Sequence, residues 1–186
     1  MPHRVLAISG SLRAASVNSA FCRAAARLAP ASMLVEVFAG VGGLPLFNPD
    51  LEAVLPAPIA LLREKVAMCD MLLIASPEYA HGIAAPMKNV LDWLVSFDGS
   101  VNKPVAVVNT SPRAHHAHEA LVEVLRTMNL DLVPDACINL PLLGQCAHED
   151  QMLETASIRQ GISTLLGALD QHLQGSGSAG PSFALG

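Results

Sequence analysis

The stretch Val5-Leu6-Ala7-Ile8-Ser9-Gly10-Ser11-Leu12-Arg13-Ala14-Ala15-Ser16-Val17-Asn18 decides the fold of this 186-residue chain. It opens with a run of apolar residues, which is typical of a strand buried on both faces of a parallel sheet. A polar turn follows, and apolar residues then recur at helical spacing: Val17, Phe21, Ala24 and Leu28. Pro30 ends this pattern, because proline cannot continue a helix. The stretch therefore predicts a strand, a tight turn and a helix.

The same alternation of strand and helix continues along the chain. Further buried strands are predicted at residues 33–38, 71–75, 105–108 and, more weakly, 130–137. Helices with one apolar face are predicted within 59–69, 87–94, 121–128 and 158–169. This order predicts an α/β fold, a doubly wound five-stranded parallel sheet in a three-layer αβα arrangement. Residues 39–57 are rich in Gly and Pro and predict a long loop.

The bulk properties restrict the class of protein. The net charge is -5, only 15% of residues are charged, and Lys and Arg form no block. Such a chain is a poor candidate for binding nucleic acid or an anionic membrane. We see neither a signal peptide nor an apolar run near the ~20 residues of a membrane helix. Four cysteines without a CxxC pair suit buried thiols in a reducing compartment. We therefore expect a cytoplasmic protein with one domain at 1–174 and a flexible tail at 175–186.

The first loop is the strongest candidate for a ligand site. Ligands of doubly wound sheets bind at the carboxyl ends of the strands, where this loop must lie. Ser11, Ser16 and Asn18 offer short polar donors, and Arg13 adds a positive charge. The start of the following helix adds free N–H groups and the positive end of its dipole, which together favour phosphate. The alternative is that Ser16 only caps the helix.

Two further loops should reach the same edge of the sheet. Residues 76–82 contain the chain's one tyrosine, Tyr79, whose ring could stack on a planar ligand. The alternative there is a tight turn in which Tyr79 covers a gap. Residues 109–116 could add backbone and hydroxyl donors, or could be an ordinary helix entry capped by Ser111.

These motifs resemble a known family. Gly10-Ser11-Leu12-Arg13 with Ser16 and Asn18, and Pro77-Glu78-Tyr79 followed by Pro86, Lys88-Asn89 and Asp92-Trp93, resemble the NADPH-dependent FMN reductases. That family includes quinone and chromate reductases. Leu44-Pro45-Leu46-Phe47-Asn48-Pro49-Asp50-Leu51 is similar to the family's loop after the second strand. The resemblance covers roughly residues 4–170.

The resemblance implies a flavodoxin-like fold, non-covalent FMN, and NADPH or NADH as co-substrate. By this match the FMN phosphate is held by Ser11, Arg13, Ser16, Asn18 and the backbone of Val17. The isoalloxazine ring is lined by Pro77, Glu78, Tyr79 and Ala80, and Ser111 belongs to a third flavin loop. The implied reaction passes a hydride from nicotinamide to flavin N5, and then electrons to a small-molecule acceptor. A quinone, free flavin, azo compound or metal oxyanion is open as that acceptor, and no catalytic side chain is assigned.

The family also implies a homodimer or homotetramer, with 87–94 as a candidate contact. The sequence departs from the family at Ala80, where Asn is usual, and at His115 and His116, where a Gly-Gly pair is usual. We expect an imidazole to fill the gap beside the flavin; the alternative is that this loop turns away and leaves the cleft more open. Two alternatives stay open, a flavodoxin-like electron carrier and a flavin-free scaffold or sensor domain. A metal site at the histidines is not predicted.

Overall fold

The computed structural model describes residues 1–142 and 148–176. The strands are β1 (His3–Ser9), β2 (Met33–Val37), β3 (Met71–Ala75), β4 (Glu78–Tyr79), β5 (Gly82–Ile83), β6 (Pro104–Asn109), β7 (Asp131–Leu132) and β8 (Ile138–Asn139). The helices are α1 (Val17–Leu28), α2 (Ala57–Met68), α3 (Ala85–Leu94), α4 (His115–Thr127), α5 (Glu149–Glu154) and α6 (Ala156–Ser176). Within these residues, no helix is both long and apolar enough to cross a bilayer.

The main sheet is parallel throughout. Its strand order is β2-β1-β3-β6-β7, with β8 also paired to β6. In register, Val5 of β1 lies beside Val35 of β2 and Met71 of β3. The winding direction reverses between β1 and β3, so this is the switch point of the sheet. The predicted doubly wound α/β sheet is confirmed.

The fifth strand differs from the prediction of one segment at 130–137. It consists of β7 and β8, separated by a 3-10 turn at Pro134–Ala136. Val133 still donates its N–H to Val105 O, but its carbonyl oxygen accepts the N–H groups of Ala136 and Cys137 inside the turn. Pairing resumes where Ile138 lies beside Val108. The turn that begins at Pro134 therefore interrupts the strand.

The core has two apolar layers, one on each face of the sheet. Alternate residues of β1 face opposite layers, with Val5 and Ala7 on one side and Leu6 and Ile8 on the other. The first layer packs against α1 and α6, and the second against α2, α3 and α4. Phe21 and Trp93, the two largest fully buried side chains, lie in different layers. Burying such a side chain contributes about 1.5–3 kcal/mol.

Some predictions fall at the limits of the described chain. Of the tail predicted at 175–186, residues 175 and 176 belong to α6, and the remainder lies outside the described residues. Cys146 also lies outside them, whereas Cys22, Cys69 and Cys137 are free thiols. The loop at 39–57 carries two short 3-10 helices, Val41–Gly43 and Pro49–Leu51.

Candidate functional site: a cleft at the carboxyl edge of the sheet

A cleft of about 380 Å³ lies where the loops after β1, β3 and β6 meet. Nine of the ten predicted site residues line it: Ser11, Arg13, Ser16, Val17, Asn18, Pro77, Glu78, Tyr79 and Ser111. Ala80 is the exception. The wall also contains residues that were not singled out beforehand: Ala15, Thr110, Arg113, Ala114 and Leu142. Three of them fall inside the third loop, but Leu142 follows β8 and has no local sequence signal.

The first loop is held by its own side chains. Ser11 N–H donates to Ser9 Oγ at 3.3 Å, and Arg13 N–H donates to Ser11 Oγ at 3.4 Å. Gly10 lies so close to its neighbours that a Cβ would stand 2.4 Å from Ser76 Oγ and 2.9 Å from Met87 Cβ. Only glycine therefore lets this loop approach the loop after β3 and α3 so closely.

Ser16 caps α1 and also lines the cleft. Its Oγ accepts the N–H of Ser19 at 3.2 Å, while the residue is only 4% exposed. Accepting this bond leaves the hydroxyl proton free to donate to a ligand. The N–H groups of Val17 and Asn18 have no intrahelical acceptor, because they belong to the first turn. Capping and anion binding are therefore compatible at this residue.

Asn18 joins the first and third loops. Its Oδ1 accepts the Thr110 hydroxyl at 2.8 Å, and both residues are about nine-tenths buried or more. Within 1–142 and 148–176 its Nδ2 has no protein acceptor, although Asn18 lines the cleft. The Nδ2 group is not a fully buried atom, so it reaches the cleft surface and can donate to a ligand oxygen there.

The second loop is the β4–β5 hairpin. Its two turn residues, Ala80 and His81, have φ values of 49° and 60°. Two-residue hairpin turns demand such left-handed backbone, which Asn adopts more readily than Ala. The Asn usual in the family at position 80 therefore suits the backbone of this turn. Tyr79 is 54% exposed and lines the cleft.

Glu78 connects the second loop to α4. Its Oε2 accepts the N–H of Ala117, in the first turn of α4, at 2.8 Å. Ala114, the residue at the cap position, has no side-chain acceptor of its own. Glu78 therefore caps the start of α4, although it lies 39 residues before Ala117 in the chain. This is a contact that the resemblance did not imply.

The histidines of the third loop lie elsewhere than expected. His115 and His116 are the exposed first residues of α4, and neither lines the cleft. The ring of His116 stacks on His81 at 4.4 Å between centroids and lies 4.3 Å from His115. The expectation of an imidazole in the cleft wall is therefore wrong. The stack instead joins the second loop to α4.

The cleft favours anions. Arg13 and Arg113 stand on opposite loops, and neither forms an ion pair with a carboxylate of the described residues. Glu78 is the one carboxylate that the described residues place in the wall, and it accepts a hydrogen bond from α4. A second cavity of about 510 Å³ lies on the other side of the first loop. Among the described residues that line it, Arg23 is the only cation, and it is paired with Glu149. That cavity therefore offers no unpaired positive charge from the described part of the chain.

Two of the remaining motif residues, Asn89 and Trp93, hold the loop at 39–57. Asn89 Nδ2 and Trp93 Nε1 both donate to Pro45 O, at 3.0 and 2.8 Å. Asn89 Oδ1 accepts the N–H of Phe47 at 2.8 Å. The two sequence motifs at 44–51 and 86–93 are thus bonded to each other. Their role in this structure is to position the loop, since none of these residues lines the cleft.

When only the strands of the main sheet are counted along the chain, their order is 2-1-3-4-5. That parallel order, with an anion-favouring cleft at the switch point, defines a flavodoxin-like protein. Residues 3–141 match the sequence profile of a family described as NADPH-dependent FMN reductase. The chain is a member of that family.

Characterised relatives agree with this membership. An NAD(P)H-dependent FMN reductase of Pseudomonas aeruginosa is 40% identical over 114 residues, covering 58% of this chain and 60% of the relative. An NADPH:quinone oxidoreductase of Arabidopsis thaliana is 40% identical over 113 residues, covering 58% and 57%. The chain thus spans less than two thirds of the length of these relatives.

Solved structures confirm the flavodoxin-like fold. The NAD(P)H:(acceptor) oxidoreductase FerB of Paracoccus denitrificans superimposes with a TM-score of 0.80 at 24% identity, covering 93% of this chain and 98% of that one. A flavodoxin from the domain Archaea gives a TM-score of 0.61 at 11% identity, with coverages of 92% and 99%.

Proposed function

We propose that this chain is an NAD(P)H-dependent reductase that holds FMN non-covalently in the cleft and delivers electrons to a small-molecule acceptor. The observation that carries the proposal is Asn18, whose side-chain amide reaches the cleft surface, has no acceptor among the described residues and lies beside the free N–H groups of α1. Family membership and the reductase names of the relatives support the same reading. A phosphate is the group that such a set of donors suits.

The residues present fit FMN. Ser11, Ser16, Asn18 and the backbone of Val17 would hold the phosphate, with Arg13 balancing its charge. The chain at 77–80 would lie along the isoalloxazine ring, with Pro77 and Tyr79 in the cleft wall and Ala80 shaping the turn. Ser111 would approach from the third loop. Glu78 and the bond between Asn18 and Thr110 keep the three loops at fixed separations.

FMN, when bound, supplies two-electron chemistry between a nicotinamide and the acceptor. The side chains of this protein bind and orient, and we assign none of them as a general acid or base. An open cleft with the half-exposed Tyr79 at its mouth would let planar substrates reach the bound ring. Quinones are the acceptors best supported by the names of the relatives, and free flavin, azo compounds and metal oxyanions remain in the same class.

Anaerobic spectroscopy tests this proposal. The purified protein is saturated with FMN, freed of excess cofactor, and mixed with NADPH in the absence of oxygen. We expect about one FMN per chain and loss of the oxidised flavin absorbance within seconds. A flavin-loaded protein whose spectrum stays oxidised would instead be an electron carrier. A protein that takes up no FMN would be a scaffold or sensor domain.

We also propose a cytoplasmic homodimer or homotetramer. The apolar side chains of α3 are packed in the core, so the expected contact through 87–94 has only a polar face to offer. Leu46 and Val54, in the loop at 39–57, are 83% and 82% exposed and make that loop the better contact. Buried thiols at Cys22 and Cys69 suit a reducing compartment. Light scattering after size exclusion measures the assembly.

A further inference from the structure

The loops after β1 and β6 repeat one local construction. In the third loop Asn109 Oδ1 accepts the N–H of Ser111 at 3.1 Å, and Ser111 Oγ accepts the N–H of Arg113 at 3.3 Å. The first loop has the same two bonds, from Ser11 N–H to Ser9 and from Arg13 N–H to Ser11, at 3.3 and 3.4 Å. Both loops therefore present an arginine two residues after a serine, from opposite sides of β3.

The two arginines face one cleft, but the cofactor of the proposed function brings one phosphate. The first loop already provides that phosphate with a cation, two buried polar side chains and the N–H groups of α1. Arg113 lies on the other loop, lines the cleft and has no carboxylate partner among the described residues. The groups of the first loop are sufficient for the FMN phosphate, so Arg113 is an additional cation in the cleft wall.

We propose that Arg113 forms a second anion subsite, which binds a phosphoryl group of the nicotinamide dinucleotide while FMN occupies the first loop. This inference rests on the proposed function. The dinucleotide is the substrate that carries further phosphoryl groups, two in its pyrophosphate and, in NADPH, one on the adenosine ribose. A guanidinium matches phosphoryl oxygens in a bidentate geometry that an ammonium cannot copy.

Replacement of Arg113 should leave the phosphate site of the first loop undisturbed. Asn18 and Thr110 tie the two loops at 2.8 Å, and Glu78 holds the start of α4 directly after Arg113. The backbone that carries Arg113 is therefore fixed from both sides, so its replacement removes a charge and leaves the loop in place. Truncation should weaken dinucleotide binding about tenfold or more, as expected for an arginine–phosphate contact.

Binding to the FMN-loaded protein tests the inference. Calorimetric titrations with NADP⁺, 2′,5′-ADP and ADP compare wild type with Arg113→Ala and Arg113→Lys, and FMN affinity is measured separately by fluorescence. Arg126→Ala is the matched control, because it removes the same charge from the far end of α4, where the side chain is 65% exposed. We expect Arg113→Ala to weaken NADP⁺ about tenfold, Arg113→Lys to recover part of that loss, and Arg126→Ala to change nothing.

The two nucleotide probes locate the phosphoryl group. A loss confined to 2′,5′-ADP assigns the ribose 2′-phosphate, and a loss seen with ADP assigns the pyrophosphate. The inference is overturned if Arg113→Ala leaves all three ligands unchanged, or if FMN affinity falls by the same factor as NADP⁺ affinity. Wild-type protein that binds NADP⁺ but is not reduced by NADPH would refute the reductase and leave this subsite standing.

Discussion

At the scale of single residues, the sequence indicates donors and charges but not their partners. The polar side chains of Ser16 and Asn18 predict a binding site from the sequence, and the structure places both residues in the cleft wall. The cap that Glu78 gives to α4 was not foreseeable, because its partner is Ala117, in a different element. The local cap position holds Ala114, which signals only that a cap is missing.

Two substitutions of Glu78 test this cap. Glu78→Gln keeps an oxygen acceptor for Ala117 N–H, whereas Glu78→Ala leaves the first turn of α4 uncapped. We expect the alanine variant to lose about 1 kcal/mol of unfolding free energy, the usual value of an N-cap, and the glutamine variant to lose little. FMN affinity should fall with alanine, because the second and third loops lose their connection. Urea unfolding and flavin fluorescence measure the two effects. Equal losses in both variants would show that charge, not the acceptor, is what matters.

At the scale of elements, periodicity predicts what is long and buried. The sequence places the first four strands of the sheet within a few residues, because three contain a continuous apolar run and β2 is apolar except for Glu36. The β4–β5 hairpin has two residues per strand and the α5 helix only six, too few for a period to show. Gly and Pro predict the loop at 39–57, but its attachment depends on contacts with the adjacent α2 and with α3, whose Asn89 and Trp93 bond to residues 42 to 48 positions earlier.

Acid should release that loop. The hydrogen bonds from Arg63 and Ser96 hold the pKa of Glu52 below its ordinary value of 4.5. A lowered folded-state pKa stabilises the fold above the unfolded value, and this contribution is lost as the pH falls through the folded pKa. Wild type should therefore exceed Glu52→Gln in stability by a constant margin between about pH 5 and pH 8, and the margin should shrink below 4.5.

Trp93 reports this release directly, because the chain has one tryptophan and its Nε1 donates to Pro45 O in the loop. Unfolding is followed by its emission at each pH. Glu64→Gln is the matched control, since Glu64 is an exposed carboxylate on the same helix as Arg63. A margin that persists unchanged into strong acid would mean that Glu52 contributes nothing through its charge.

At the scale of the whole molecule, the order of elements restricts the topology to a few arrangements. Alternating strands and helices admit few right-handed arrangements, and the cleft then has to lie at the carboxyl edge. Which loops touch each other could not be predicted in this way. The bond between Asn18 and Thr110 spans 92 residues and depends on packing that no local pattern encodes.

Ligand binding should raise the stability of the whole fold. At a hundredfold excess of FMN over its Kd, linkage gives about 2.7 kcal/mol, or a rise in Tm of about 5–10 °C for a chain of this size. Riboflavin lacks the phosphate and should raise the Tm far less. Ser16→Asp retains a helix cap but sets a negative charge against the phosphate, so its Tm should barely respond to FMN. Thermal unfolding of both proteins with both ligands measures this, and an equal response to riboflavin would contradict phosphate anchoring.

The interruption of the fifth strand affects how readily the protein can aggregate in a concentrated solution. An open sheet edge exposes a row of unpaired backbone groups on which a strand from another molecule can add, and this is a route to aggregation. Here β7 and β8 present two residues each, and the turn at Pro134–Ala136 breaks the row between them. Pro134 itself has no N–H to offer. The turn that begins at Pro134 thus also prevents a strand of another molecule from pairing along a continuous row of backbone groups at that edge.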